Sequence, residues 1–292
     1  MACAHALNST DRNTTKRQEM KSENAWNPSW RLLACSAPAA AFFAAFWLLP
    51  VVRLVTLPAD KGWAIYFAVL TDSRYLASMA NTVVLSITVT LATLVLGAAV
   101  GIYLARHAFV GKRMLLSLLT LPLSFPGVII GFFVILLGGR QGVVADLSDS
   151  LIGQRITFAY GLLGLFLAYL YFSLPRAIAT YAAAAESMNT QLEEAARSLG
   201  ASRLRVARDV WMPELAPTTL ACGAILFATS MGAFGTAFTL ASKFEVIPIT
   251  IYNEFTNYAN FALAASLSIS LGIVTWLVLF VARRFGANPV AR

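Results

Sequence analysis

The chain has 292 residues, of which 58% are hydrophobic and 12% charged, and it carries a formal net charge of +8. Soluble globular domains hold about 25% charged residues, so this balance excludes that class and points to an integral membrane protein of mean hydropathy +0.69. The basic residues form no stripe on a soluble face. They sit in short loops beside apolar segments, which excludes nucleic acid as a partner and fits the bias of Lys and Arg toward the cytoplasmic side of a membrane.

Residues 1–31 are polar, rich in Asn, Thr, Lys and Glu, and read as a disordered cytoplasmic tail. The apolar run behind them is too long for a signal-peptide core and is expected to stay as an anchor. Six segments are long enough to cross about 30 Å of hydrocarbon: 32–57, 81–105, 114–138, 157–181, 217–241 and 259–283. With the N-terminus inside, the inner loops carry 15 Lys and Arg against 5 in the outer ones. That excess puts both termini, a closing tail 285–292 and the loop 182–216 in the cytoplasm.

The first span ends in Trp47-Leu48-Leu49-Pro50, an aromatic followed by a helix breaker near the outer interface. The second opens on Asn81-Thr82, a cap for its helix, and closes with Ala105-Arg106. Gly97 and Gly101 share one face, a spacing that permits close helix contact but is common in apolar segments. The third contains Leu121-Pro122 and Pro126-Gly127, which must break the backbone ladder. Either a kink that fits a packed bundle or a bend beside a transport path accounts for it. Residues 139–156 suit a short external interfacial helix.

In the fourth span Arg176 lies near the inner end, where it snorkels or pairs with the Glu186 region. The fifth span is rich in small and hydroxyl residues, and Gly232-Ala233-Phe234-Gly235 softens it about halfway across. Hydroxyls can face an aqueous lumen without a buried charge. Candidate pathway or gate positions are therefore Pro126, Thr229, Ser230, Gly232, Phe234 and Gly235, with simple tight packing as the other reading. The loop 242–258 is polar and aromatic enough to meet a partner outside. Arg283-Arg284 stops the sixth span on the cytoplasmic side.

Several chemistries are missing. There is no G-x4-G-K-[ST] phosphate cradle, no HExxH, no CxxC and no nucleophile elbow. The spans hold no Asp or Glu of the kind that couples a carrier to protons or sodium. Cys3, Cys35 and Cys222 are scattered, and His5 and His107 have no ligand partner. No metal, cofactor or enzymatic site is expected, and the energy for transport has to come from another subunit.

The one charged segment between long apolar runs is Glu193–Pro217. Glu, Ala and Arg favour helix, Gly200 interrupts, Ser202 can cap a second short helix and Pro213 stops it. The result is a helix–turn–helix elbow at a membrane surface. Its spacing is Glu194-Ala195-Ala196, three residues, Gly200, nine residues, then Val210, Met212 and Pro213. This resembles the cytoplasmic loop EAA-x3-G-x9-I-x-L-P of binding-protein-dependent ABC importer permeases, with Val210 for Ile and Met212 for Leu. The Ala105-Arg106 end and the proline-broken third span occur in that family's order.

The resemblance implies an all-α membrane fold, a six-helix permease bundle of the type I importer kind spanning 32–284, in a bacterial inner membrane. It implies an ABC ATPase subunit dimer that holds ATP and Mg, with no cofactor on this chain. A second permease chain, identical or homologous, and an external solute-binding protein complete the assembly, which works by alternating access among membrane lipids. Glu194, Ala195 and Ala196 would form the elbow's first arm. Gly200 and Ala201 would make the turn, and Ser202 to Arg208 the arm entering the ATPase. There Arg203, Arg205 and Arg208 pair with acids, unless they form a solvated or lipid-headgroup face. The solute expected first is a polyamine or 2-aminoethylphosphonate, then sulfate or ferric iron. The alternatives are a stand-alone secondary carrier or channel without an ATPase and, less well supported, a membrane enzyme.

Overall fold

The computed structural model describes residues 28–241 and 244–286, and every regular element among them is helical. Six helical stretches among them are long and apolar enough to cross a membrane. Most of the expected tail 1–31 and of the expected tail 285–292 lies outside the described residues.

The chain divides into two compact units, Met1–Arg53 and Leu54–Arg292. The described part of the first belongs to the first span: α1 (Pro28–Phe43), a π turn (Ala44–Leu48) and the start of α2 (Leu49–Thr56). The expected stop at Pro50 is corrected here, because the helix runs through it. The amide of Leu49 bonds back to the carbonyl of Ala44, and this wider turn makes room for a ring that cannot continue the regular ladder. Phe42 stacks on Phe46 at 4.5 Å and Phe43 on Trp47 at 5.0 Å.

The second unit opens with 3-10 turns and the short α3 (Ala68–Thr71), then builds on α4 (Ser73–Arg106), 34 residues long. Its cap is Asp72, whose Oδ1 accepts from the Arg74 amide at 2.9 Å. Asn81-Thr82 therefore caps nothing. Hydropathy locates only the apolar part of this helix, and the polar turns 73–80 extend beyond it. The two residues hold a distant segment instead: the Asn81 amide donates to the Glu245 carbonyl at 3.2 Å, and Thr82 Oγ1 accepts from the Ile247 amide at 2.8 Å.

The core lies between α4 and α8 (Leu162–Ser187), with α11 (Met212–Met231) packed on both. The Gly97-Gly101 spacing is functional in packing. A methyl on Gly101 would stand 2.7 Å from the Ile178 carbonyl oxygen, and one on Gly97 would stand 2.5 Å from the Ala177 methyl. Leu85, Val89, Ile130, Leu165 and Ala168 fill one cluster, and Tyr181, Ala185, Met188 and Leu215 another.

The third expected span, 114–138, breaks where the prolines predict, and the membrane-length stretch there is instead Gly127–Ile152 because the helix restarts only after Pro126. α5 (Lys112–Thr120) gives way to a 3-10 turn (Leu121–Ser124), Phe125 is extended, and α6 (Gly127–Gly138) restarts after Pro126. α7 (Val143–Ile152) is the short amphipathic helix expected within 139–156, closed by Gly153 and by Arg155 on Asp149 at 3.2 Å. The fifth span also breaks: α11 ends at Met231, and α12 (Phe234–Leu240) restarts two residues later.

The segment 244–258 is more ordered than a free loop. It forms α13 (Ile247–Tyr252) and a π turn (Asn253–Asn257), burying Ile247, Thr250 and Glu254. Tyr75 Oη donates to the Glu254 carboxylate at 2.9 Å, and Ser78 shares a hydrogen bond with Thr250 at 2.8 Å. α14 (Phe261–Gly286) is the sixth span and packs along α11.

Candidate functional site: a helical elbow and a hydroxyl-lined cavity

The elbow's first arm is α9 (Thr190–Ser198), capped by Asn189, whose Oδ1 accepts from the Gln191 amide at 3.0 Å. Gly200 sits at φ +82° with open space around it. Its amide bonds to the Arg197 carbonyl at 2.9 Å, and that of Ala201 to the Ala196 carbonyl at 3.0 Å. This left-handed closure of a helix is one that glycine adopts without strain. Ser202 then caps α10 (Arg203–Val206), with Oγ accepting from the Arg205 amide at 3.4 Å.

The second arm does not end at Pro213. A π turn (Ala207–Trp211) joins α10 to α11, so one helix of 29 residues runs from Arg203 to Met231. Pro213 follows directly on that π turn, whose wider ladder lets the helix continue past a residue with no N–H. The arm is thus one piece with the fifth span, about 43 Å long at helical rise. Glu194, Ala195, Ser202, Arg203, Arg205 and Arg208 are exposed, while Ala196 and Ala201 are half-buried. Two apolar side chains project beside them, Leu199 at 89% exposure and Leu204 at 80%.

Sequence reasoning missed what holds the elbow. Glu193, one residue before the motif, is 9% exposed and collects three donors. Arg197 Nη2 reaches its Oε1 at 2.6 Å, while Arg106 Nη2 and Trp211 Nε1 both reach Oε2 at 3.3 Å. Arg106 also stands 5.6 Å over the Trp211 ring. Glu193 therefore ties the first arm to the second and both to the end of α4. A buried carboxylate without such partners would be costly, so the cluster fixes its members' positions. The only sequence signal was the doubled acid of Glu193-Glu194, which does not distinguish the inward residue from the outward one.

The second constellation is a cavity of about 430 Å³ where α6, α8 and the α11–α12 break meet. Four of the predicted pathway residues, Thr229, Ser230, Gly232 and Gly235, line it together. Pro126 is not in the wall but sets the start of α6, whose Gly127 is. Phe234 turns into an aromatic group with Phe238 and Tyr252, at 5.4 and 5.3 Å. The break leaves backbone groups to satisfy: Tyr169 Oη donates to the Ala233 carbonyl at 2.7 Å, and Thr236 Oγ1 to the Gly127 carbonyl at 3.1 Å. Ser230 is 3% exposed, and its Oγ has no partner. No charged side chain lines the cavity. Tyr169 and Ser173 come to it from α8, positions that periodicity alone could not connect to the fifth span.

The described residues thus combine six membrane-length helices, two broken spans around a cavity and an exposed helical elbow, the architecture of a membrane-embedded component that couples to something outside the bilayer. Residues 97–288 match the family described as binding-protein-dependent transport system inner membrane component, and the chain belongs to that family. It is 32% identical over 217 residues to the molybdenum transport system permease protein ModB of Escherichia coli, covering 72% of this chain and 93% of that one. It is 28% identical over 250 residues to the sulfate transport system permease protein CysT of Salmonella typhimurium, covering 83% and 89%. Among solved structures, a bacterial ABC transporter involved in the import of the acidic polysaccharide alginate shares the fold. The TM-score is 0.78 at 19% identity, over 90% of this chain and 96% of that chain.

Proposed function

We propose that this chain is the permease subunit of an ATP-driven importer for a tetrahedral oxyanion of the sulfate or molybdate class. The relatives just named carry sulfate or molybdenum in their names. The first-ranked expectation of polyamine or 2-aminoethylphosphonate has no such support; sulfate, ranked behind them, does. The cavity holds no carboxylate to repel such an anion, and the Ser230 hydroxyl, which has no partner, is free to donate to it.

The observation that carries the coupling role is the elbow: an exposed arm with Leu204 and three arginines at its tip, continuous with a membrane helix. In this reading the arm docks on an ATPase subunit, which holds ATP and Mg. A second permease chain completes the lumen. A binding protein brings the anion from outside, in the manner of the alginate pentasaccharide-bound periplasmic protein found in complex with a bacterial alginate ABC transporter. Both termini lie in the cytoplasm. Closure of the ATPase pair pushes the arm, the push passes along the unbroken helix to the α11–α12 break, and Glu193 carries it to α4. The helix break beside the cavity is where that motion opens or closes the path.

The test is reconstitution in liposomes with the neighbouring ATPase and binding protein. ATP hydrolysis and uptake would be followed with sulfate, molybdate and spermidine in turn. Stimulation by an oxyanion alone is expected. Uptake that proceeds with no ATPase present would move the stand-alone carrier to first place.

A further inference from the structure

A single charge lies deep in the fourth helix. Between Leu162 and Ala185 the only charged residue is Arg176. At 1.5 Å per residue, it stands about 21 Å from the start of α8 and about 16 Å from its end. It is therefore further from the inner end than its sequence position suggested. An arginine inside a span is costly unless something uses it. Its expected partner is engaged elsewhere: Glu186 pairs with Lys112 at 3.7 Å. Among the described residues no carboxylate forms an ion pair with Arg176, which is half-buried.

Its surroundings give it a direction. Tyr169, Phe172, Ser173 and Arg176 follow the spacing of one helix face, and the first three line the hydroxyl-rich cavity. Arg176 is near enough to Cys222 of α11 for its charge to act on that thiol, and the unpartnered hydroxyl of Ser230 lies about two turns further along the same helix. The α8 face that lines the cavity thus continues one turn further to a positive charge, beyond the free hydroxyl of Ser230 on α11.

We propose that Arg176 is a transient binding site for the oxyanion, one step beyond the cavity on its way through the permease. A guanidinium offers paired N–H donors that match two oxygens of a tetrahedral anion. One positive charge against a divalent anion attracts it without neutralising it, so the anion can leave, as conduction requires. The same charge opposes a polyamine cation. This inference rests on the oxyanion reading given above.

The experiment uses the complete importer in liposomes, with sulfate and molybdate as the solutes. Arg176→Gln is expected to lower uptake by about 5-fold or more, the smaller end of coupling between sites, while binding-protein-stimulated ATP hydrolysis stays within about 2-fold of the parent. Arg176→Lys, which keeps the charge, should restore most of the uptake. If the Gln variant does not reach the membrane, Arg176→Met, neutral and of similar length, takes its place with the same expected loss. Uptake at the parental level in Arg176→Gln or Arg176→Met overturns the proposal. So does a parallel fall of uptake and hydrolysis that Arg176→Lys shares, which marks a packing or lipid-phosphate anchor. A parent complex that responds to neither anion would instead refute the oxyanion reading itself.

Discussion

Thr82, inside the second span, accepts the amide hydrogen of Ile247 at 2.8 Å across 165 residues of sequence, and donates to the Ser78 carbonyl at 2.7 Å. One hydroxyl thus satisfies the first amide of α13 and pins that helix to α4. Thr82→Val keeps the shape and removes the acceptor, leaving a buried N–H unpaired at a cost of about 1–3 kcal/mol. The thermal aggregation midpoint of the purified protein in detergent should fall. Thr82→Ser should leave it nearly unchanged, and equal midpoints for both variants would contradict the assignment.

Gly101 lies where α4 packs directly on the backbone of α8. A side chain there meets backbone, the Ile178 carbonyl at 2.7 Å, rather than the flexible end of a side chain. Gly101→Val should cost about 1–3 kcal/mol or more through overpacking and reduce the amount of folded protein recovered from the membrane. Gly272, with nothing within 4 Å of an added methyl, is the control: Gly272→Ala should be recovered at the parental level.

Arg106 and Glu193 are expected to act as one unit. Arg106→Gln, Glu193→Gln and the double variant form a cycle, in which the double should be less destabilised than the sum of the singles by about 0.5–3 kcal/mol. Glu193→Gln leaves the partly buried Arg106 without its ion-pair partner and Arg106→Gln leaves Glu193 with Arg197 as its remaining ion-pair partner, whereas the double change removes both charges. Strict additivity of the detergent melting shifts would separate the two residues.

Gly200→Asp should abolish uptake while the protein still accumulates in the membrane. The space around the Cβ is open, so the cost to the fold is only the left-handed backbone, about 1–2 kcal/mol in an exposed turn. The turn sets the angle between the elbow's arms and lies between Leu199 and the Arg203–Arg208 surface. Unchanged uptake with this variant would remove the coupling role from the elbow.

Much of this protein is legible in its sequence. Hydropathy finds the spans because hydrocarbon admits only long apolar helices, and the proline pair Pro122 and Pro126 marks the broken third span. Gly200 and Ser202 announce the elbow, since a left-handed C-cap and an N-cap are local chemistry. Local rules fail at Asn81-Thr82, Pro50 and Pro213. In the first case a long helix extends past its apolar window; in the others π turns precede the proline and let the helix continue.

What the sequence alone determined was therefore the number of membrane helices, the breaks and the elbow, each set by forces acting within a few residues. Only the tertiary structure decided that Glu193, Arg106 and Trp211 meet, that Tyr169 supports the break at Ala233, and that Ser173 reaches the same cavity as Ser230. Such pairings depend on which faces of distant helices come together, and the close glycine contacts of α4 with α8 set that for much of the core.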